Sequence, residues 1–121
     1  MNTIYKIIVI YFLTLFFVFT AIVELAGQIK KDGIQVVQFT ASFNADNEVN
    51  WLPELSECKT TTISIEEGDW QKKYKIAIVP TLIIFDDGEE VNRFQADLSM
   101  ALAATKEEVQ EAIEEIIMNK F

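Results

Sequence analysis

The chain has 121 residues, half of them hydrophobic, and its 19 acidic and 10 basic residues give a formal net charge of −9 at pH 7. This length fits one domain with a modest core. The negative charge disfavours nucleic acid, whose phosphates attract Lys and Arg. The sequence has no histidine and a single cysteine, Cys58. Ser-His and Cys-His catalytic pairs and His-metal sites are therefore excluded, and we expect neither a metal nor a cofactor.

An apolar run lies near the start of the chain. Residues from Ile7 to Val23 are uncharged and dominated by Ile, Val, Phe and Leu, with Lys6 before them and Glu24 after them. The length of the run lies between that of a signal-peptide core and a full membrane span. We therefore predict that residues 1–27 are a signal peptide cleaved after Gly27, or an uncleaved membrane anchor. Residues 28–121 would then form one domain, exported to the bacterial periplasm or anchored to a membrane by residues 7–23.

The first elements after this run are a predicted strand and a predicted helix. Ile34–Thr40 is rich in β-forming residues and nearly continuous in apolar character, which is typical of a buried strand. Asn44 is a good N-cap residue, and apolar side chains recur every three residues after it. The sequence thus predicts a helix from about Ala45 to Leu55, which Pro53 would kink or end.

The next segments predict three more strands. Lys59–Ile65 is β-branched and alternating, and it follows the first strand across the helix, so we expect it to pair in parallel with that strand. Glu66–Lys73 predicts a short charged helix or turn. Thr81–Phe85 and Glu90–Gln95 flank a tight turn at Asp86-Asp87-Gly88, and together they predict an antiparallel hairpin.

A C-terminal helix is predicted to begin after Thr105. The pattern Thr105-x-x-Glu108 is that of a capping box. An apolar stripe with 3.6-residue spacing follows it, formed by Val109, Ala112, Ile113, Ile116 and Ile117. The opposite face of the predicted helix is acidic. Such a run usually marks a solvated surface, and docking of a basic partner is the alternative.

The segment from Lys73 to Glu89, KYKIAIVPTLIIFDDGE, resembles the second half of a thioredoxin. The predicted order of elements also resembles the βαβ–ββα core of that family. The resemblance covers about Ile34 to Asn119. It implies an α/β fold with a mixed central sheet flanked by helices, in a minimal form that lacks the family's leading strand and helix. It also implies that the peptide bond before Pro80 is cis.

The redox motif of that family is missing. Where thioredoxins carry Cys-x-x-Cys, this chain reads Asn44-Ala45-Asp46-Asn47, and Gln38 stands at the position of the family's buried acid. A dithiol oxidoreductase needs one thiolate to attack a disulfide and a second thiol to resolve the mixed disulfide, and glutamine cannot titrate. We therefore interpret Asn44, Asn47 and Gln38 as degenerate active-site positions and favour a protein that is not an enzyme.

The retained Val-Pro-Thr turn favours a role in binding. In the family, the backbone before the cis-proline holds a substrate peptide in extended form, and that mode needs no cysteine. We therefore predict a redox-inactive binding or adaptor module whose partner is an extended peptide segment or an envelope protein. The predicted binding residues lie around the turn and in the loop after the hairpin: Phe43, Asn44, Ile78, Val79, Pro80, Leu98 and Met100.

Each of these features also has an alternative explanation. The turn alone explains Pro80, and a loop that folds down over the vacant site explains Leu98 and Met100. Cys58 is predicted to be a shielded structural residue at the opposite end of the sheet from Pro80. The alternative function is an atypical thiol–disulfide oxidoreductase that works through Cys58. A third hypothesis is a purely structural protein of the cell envelope.

Overall fold

The computed structural model describes residues 28–121, and the predictions for residues 1–27 lie outside this part of the chain. The chain divides into two compact units, Met1–Lys30 and Lys31–Phe121. Every helix and strand named below belongs to the second unit. Within the described residues, no helix is both long and apolar enough to cross a membrane.

The described residues contain a mixed sheet of four strands. These are β1 (Ile34–Thr40), β2 (Lys59–Ser64), β3 (Thr81–Asp86) and β4 (Glu89–Gln95), in the spatial order β2-β1-β3-β4. β1 pairs in parallel with β2 and antiparallel with β3, and β3 and β4 form an antiparallel hairpin. The predicted strands and their pairing are therefore confirmed.

The two central strands are hydrophobic because both of their faces are covered. All seven residues of β1 are buried, and five of the six residues of β3 are buried. The outer strands of this sheet are much more exposed, since β2 buries only Ile63 and β4 buries no residue fully. This difference explains why the central strands are nearly continuous apolar runs in the sequence, whereas β2 alternates.

Two α-helices belong to the described part of the chain, α1 (Trp70–Lys73) and α2 (Lys106–Met118). The Thr105 hydroxyl accepts a hydrogen bond from the Glu108 N–H at 3.2 Å and so caps the start of α2. The buried face of α2 joins a hydrophobic cluster made of Ile34, Val36, Leu52, Leu55, Leu82, Ile84, Val109 and Ile113. The predicted C-terminal helix is confirmed.

The predicted helix from Ala45 to Leu55 is wrong. This stretch holds two short 3₁₀ segments, Ser42–Asn47 and Leu52–Glu54, with irregular backbone between them. Asn44 is not a helix N-cap, because it lies inside the first segment with a non-helical φ of −127° and ψ of 24°. Pro53 opposes a helix, since it lacks an N–H, clashes with the carbonyl four residues earlier and disfavours helical backbone just before it. The apolar residues of the stretch still pack against the core, although their helix-like spacing in the sequence does not correspond to a helix.

Candidate functional site

The predicted binding residues come together at one end of the sheet. β1 ends there, β3 begins there and β4 ends there, because Thr81 pairs with Phe39 of β1 and with Gln95 of β4. The loops that follow β1, precede β3 and follow β4 therefore lie side by side at this end. Residues that are more than 50 positions apart in the sequence, such as Asn44 and Met100, come into contact there.

A partly open groove of about 330 Å³ lies between these loops. Its mostly apolar lining consists of Phe43, Ile65, Gln71, Ile76, Ala77, Ile78, Val79, Leu98 and Met100. Five of the predicted binding residues are in this lining. The side chains of Phe43 and Leu98 are 72% and 98% exposed. Two large apolar side chains are thus open to solvent at the same groove.

Asn44, at the position of the family's attacking cysteine, is buried and fully hydrogen-bonded. Its Nδ2 donates to the Val79 carbonyl and to the Met100 carbonyl, each at 2.9 Å. Its Oδ1 accepts a hydrogen bond from Asn47 Nδ2 at 2.7 Å. Both amide hydrogens and the amide oxygen are therefore in use. The two residues at the degenerate motif contact each other and connect three loops.

The turn before β3 is held by internal hydrogen bonds. The Val79–Pro80 peptide bond is cis, both residues are buried, and Val79 is only 2% exposed. The Thr81 hydroxyl donates to the Ile78 carbonyl at 2.6 Å, and the Val79 carbonyl accepts the hydrogen bond from Asn44. The backbone of Ile78 and Val79 was predicted to bind a peptide, and here its carbonyls accept hydrogen bonds from the chain's own side chains.

Gln38 supports the irregular segment between β1 and β2. It is 2% exposed, and its Oε1 accepts a hydrogen bond from the Val49 N–H at 2.8 Å. Its Nε2 donates to the Val49 carbonyl at 3.5 Å and to the Thr62 hydroxyl at 3.4 Å. A helix would have bonded these Val49 groups within its own backbone. Here a side chain from β1 satisfies them instead.

Two acidic residues directly adjoin groove residues in the chain, and serine hydrogen bonds hold their carboxylates. Glu66 follows the lining residue Ile65 and accepts hydrogen bonds from the Ser42 N–H at 2.5 Å and the Ser42 hydroxyl at 3.0 Å. Asp97 precedes Leu98 and accepts hydrogen bonds from the hydroxyl and the N–H of Ser99. These bonds lower the pKa of both carboxyl groups. Both are therefore negatively charged at neutral pH.

Cys58 is remote from the groove. It directly precedes β2, whose first residue pairs with Gln35 near the start of β1, whereas Pro80 directly precedes Thr81, which pairs with Phe39 near the end of β1. The predicted placement of Cys58 at the opposite end of the sheet is therefore confirmed. The thiol is half-buried against the hydrophobic cluster, and this burial raises the pKa of Cys58. A reactive cysteine needs a shift in the other direction.

No protein-family model and no curated protein matches this chain. Solved structures do match it. The chain is similar to a mutant thioredoxin from Halobacterium salinarum NRC-1, with 21% identity, a TM-score of 0.59 and coverage of 77% of this chain and 82% of that chain. It is also similar to a reduced Schistosoma mansoni thioredoxin pre-protein, with 23% identity, a TM-score of 0.57 and coverage of 78% and 89%. A Fasciola hepatica thioredoxin has 22% identity, a TM-score of 0.51 and the same coverage values of 78% and 89%.

The chain has a thioredoxin-like fold. At these identities the likeness establishes the fold and not the activity. The single cysteine of this thioredoxin-like chain fits the absence of a Cys-x-x-Cys motif from its sequence.

The sequence did not predict four residues of the groove, Ile65, Gln71, Ile76 and Ala77. A signal existed for Ile65, because β1 and β2 are parallel and the residues after both strands lie at the same end of the sheet. The thioredoxin-like segment before Pro80 contains Ile76 and Ala77, so these two could also have been assigned to the site. Nothing in the sequence pattern indicated Gln71.

Proposed function

We propose that this thioredoxin-like chain is a binding module without dithiol redox activity, exported or tethered to a membrane, whose groove takes an extended peptide segment of a partner protein. The observation that carries the proposal is the exposure of Phe43 and Leu98 at one groove whose lining residues, apart from Gln71, have apolar side chains. Binding becomes more favourable when a partner removes large apolar side chains from water. A groove that they flank can therefore bind an apolar side chain of a partner.

The charges at the groove favour a particular kind of peptide. Glu66 and Asp97 adjoin the groove residues Ile65 and Leu98 in the chain, and both carboxylates are held by serine hydrogen bonds. Lys72 and Lys75 likewise adjoin the lining residues Gln71 and Ile76, but both are exposed and neither is fixed by a side-chain hydrogen bond among the described residues. Lys or Arg residues on either side of an apolar side chain would lie near these carboxylates. We therefore propose a peptide in which a large apolar residue is flanked by basic residues.

The absence of dithiol chemistry in this proposal rests on the residues at the degenerate motif. Asn44 and Asn47 have no thiol, and their amides are engaged in hydrogen bonds. Cys58 lies at the other end of the sheet, and burial raises the pKa of its thiol. Neither position offers the thiolate that attack on a disulfide requires.

Photo-crosslinking from within the groove tests the binding function. A photoreactive amino acid would replace Leu98 in the full-length chain, in the cells that produce it. Leu98 is suitable because it is exposed and the fold does not depend on its side chain. The matched control carries the same amino acid at Glu114, an exposed residue of α2. We expect one dominant peptide adduct from position 98 that is absent from position 114.

The adduct would then be examined as a synthetic peptide. Titration of the full-length protein with this peptide should give saturable binding that Phe43→Ser weakens by at least about tenfold, since a small polar side chain would replace an apolar contact and leave the charge unchanged. Diffuse labelling from both positions, or a peptide whose affinity Phe43→Ser leaves unchanged, would contradict the proposed groove. Mass spectrometry of the same sample tests export, because cleavage after Gly27 predicts an N-terminus at Gln28.

A further inference from the structure

Asn44 is a link between two loops that both contribute to the groove lining. The Val79 carbonyl belongs to the turn before β3, and the Met100 carbonyl belongs to the loop after β4. Both residues line the groove, and a single amide nitrogen donates to both carbonyls. Asn47 fixes the orientation of this amide, because its Nδ2 donates to the Asn44 oxygen.

The same amide contacts the loop that carries Leu98 and Met100. The loop has no regular secondary structure, and Met100 has a positive φ of 63°, a conformation that is uncommon for a residue with a side chain. In the part of the chain that the structure describes, the other hydrogen bonds of residues 97–101 are among these residues themselves. The Asn44 amide is therefore the hydrogen-bonding partner that residues 97–101 have outside this loop in the described domain, while at its two edges the Ala96 N–H donates to the Pro80 carbonyl at 3.1 Å and Leu102 packs against the hydrophobic cluster.

The chemistry of the contact requires an amide. Two carbonyl oxygens must receive hydrogen bonds from one short side chain, and that side chain must also accept one from Asn47. Asparagine has two N–H donors and an oxygen acceptor. Aspartate has the same shape but only acceptors when ionised. Serine or cysteine can donate at most one hydrogen bond.

We propose that Asn44 is the positioning residue of the binding groove: its amide holds Met100, and with it the exposed Leu98, at a fixed place against the turn before β3. The positioning does not depend on any ligand, and its effect on affinity rests on the proposed binding function. The position that carries the attacking cysteine in the resembled family would thus serve here to shape a recognition surface.

The test compares Asn44→Asp with Asn50→Asp in the full-length chain. Both substitutions add one negative charge without a change of shape, and Asn50 is an exposed residue. Hydrogen exchange without ligand is the first measurement. The Met100 N–H donates to the Asp97 carbonyl within the loop at 2.9 Å, and it should exchange at least about tenfold faster in Asn44→Asp, because the loop loses the Asn44 hydrogen bond to the Met100 carbonyl and opens more often. Val109 and Ile113 in the core should keep their protection, and Asn50→Asp should match the wild type.

A second, milder variant provides the same measurement if Asn44→Asp does not fold. Asn44→Ser keeps one donor in a smaller side chain, and we expect the exchange rate of Met100 to lie between those of wild type and Asn44→Asp. Unchanged exchange of Met100 in a folded Asn44 variant would overturn the proposal. So would faster exchange that is spread evenly over the whole domain, because that result indicates a general structural role rather than positioning of one loop.

The affinity of the groove provides a readout that stability alone does not move. The probe is a capped Lys-Leu-Lys tripeptide, followed by NMR titration of the full-length protein. Under urea-free conditions in which all variants are folded, Asn44→Asp should bind the tripeptide at least about tenfold more weakly than Asn50→Asp does. Equal affinity in both variants would overturn the positioning role. Faster loop exchange with no tripeptide binding to the wild type would instead retain the role of Asn44 and reject the proposed peptide class.

Discussion

Replacing Gln38 by glutamate returns an acid to the position where the resembled family has one, with almost no change of shape. Gln38 is 2% exposed, and its amide bonds both the N–H and the carbonyl of Val49. A glutamate carboxylate can still accept the Val49 N–H but cannot donate to the Val49 carbonyl. Glu48 is adjacent to Val49 in the chain, so the new carboxylate would also gain a like-charged neighbour.

The magnitude follows from the burial of the site. Burial, the Val49 carbonyl and Glu48 all disfavour the ionised form of the introduced carboxyl group, and a rise of about two pKa units is moderate for such a site. At about 1.36 kcal/mol per unit, this rise costs about 3 kcal/mol of unfolding free energy at pH 7. The total free energy of unfolding of a small domain is about 5–15 kcal/mol. We therefore expect the melting temperature of Gln38→Glu to fall by at least about 10 °C.

The pH dependence has a definite sign. A carboxyl group whose pKa is higher in the folded state than in the unfolded state binds more protons in the folded state between these two pKa values. Gln38→Glu should therefore keep its stability relative to wild type below about pH 4, the pKa of glutamate in the unfolded chain. This stability is lost as the pH rises through the pKa of the same carboxyl group in the folded state. A protonated carboxyl also restores one donor, which can face the Val49 carbonyl.

The chain contains a matched control for this experiment. Gln110 on α2 makes the same two-way contact with the backbone of Ser56: its Oε1 accepts the Ser56 N–H at 2.9 Å, and its Nε2 donates to the Ser56 carbonyl at 3.2 Å. That contact is exposed, so water can solvate a carboxylate there. Gln110→Glu should lower the unfolding free energy by less than about 1 kcal/mol.

The assay is urea unfolding of the full-length wild type, Gln38→Glu and Gln110→Glu at pH 4 and pH 7. The expected result is a loss of stability at pH 7 for the buried substitution only, and its recovery at pH 4. If Gln38→Glu matches the wild type at pH 7, or loses the same stability at both pH values, then ionisation at a buried amide site is not what governs this position.

Three further predictions concern the core, the cap and the thiol. Ile113→Ala should cost about 2–5 kcal/mol of unfolding free energy because Ile113 is fully buried, whereas Glu114→Ala should stay within about 0.5 kcal/mol; urea unfolding of both variants checks this contrast. Thr105→Ala should cost about 1 kcal/mol and reduce amide protection in the first turn of α2, as measured by hydrogen exchange, since the N-cap bond is lost. Native Cys58 should react with iodoacetamide at least about tenfold more slowly at pH 7 than in urea, because burial raises the pKa of its thiol and shields it. Equally fast alkylation would restore weight to the oxidoreductase alternative.

The strands and the C-terminal helix could be predicted because their signals are local. β1 and β3 are nearly continuous apolar runs rich in β-forming residues, and α2 has both a capping threonine and an apolar stripe. The parallel pairing of β1 with β2 and the β3–β4 hairpin followed from general rules for crossovers and hairpins, and so did the remote position of Cys58. The site beside Pro80 followed instead from the resemblance to thioredoxins.

The stretch from Ala45 to Leu55 could not be predicted, because tertiary contacts decide its conformation. Its apolar spacing suggests a helix, and the late position of Pro53 suggests a kink near the end rather than a bar to the helix. The contact of Gln38 with Val49 spans 11 positions, and the contact of Asn44 with Met100 spans 56. Side-chain bonds at these separations leave no periodic trace in a single sequence.

The loss of the helix and the loss of the redox residues are physically connected. Backbone without a helix leaves N–H and carbonyl groups that need partners, and a side-chain amide supplies a donor and an acceptor together. Gln38 does this for Val49, and Asn44 does it for Val79, Met100 and Asn47. An ionised acid or a thiol at these positions could not satisfy the same groups. The amides at the positions where the resembled family carries a thiol and an acid are therefore the residues that allow the irregular segment of this chain to pack against the sheet.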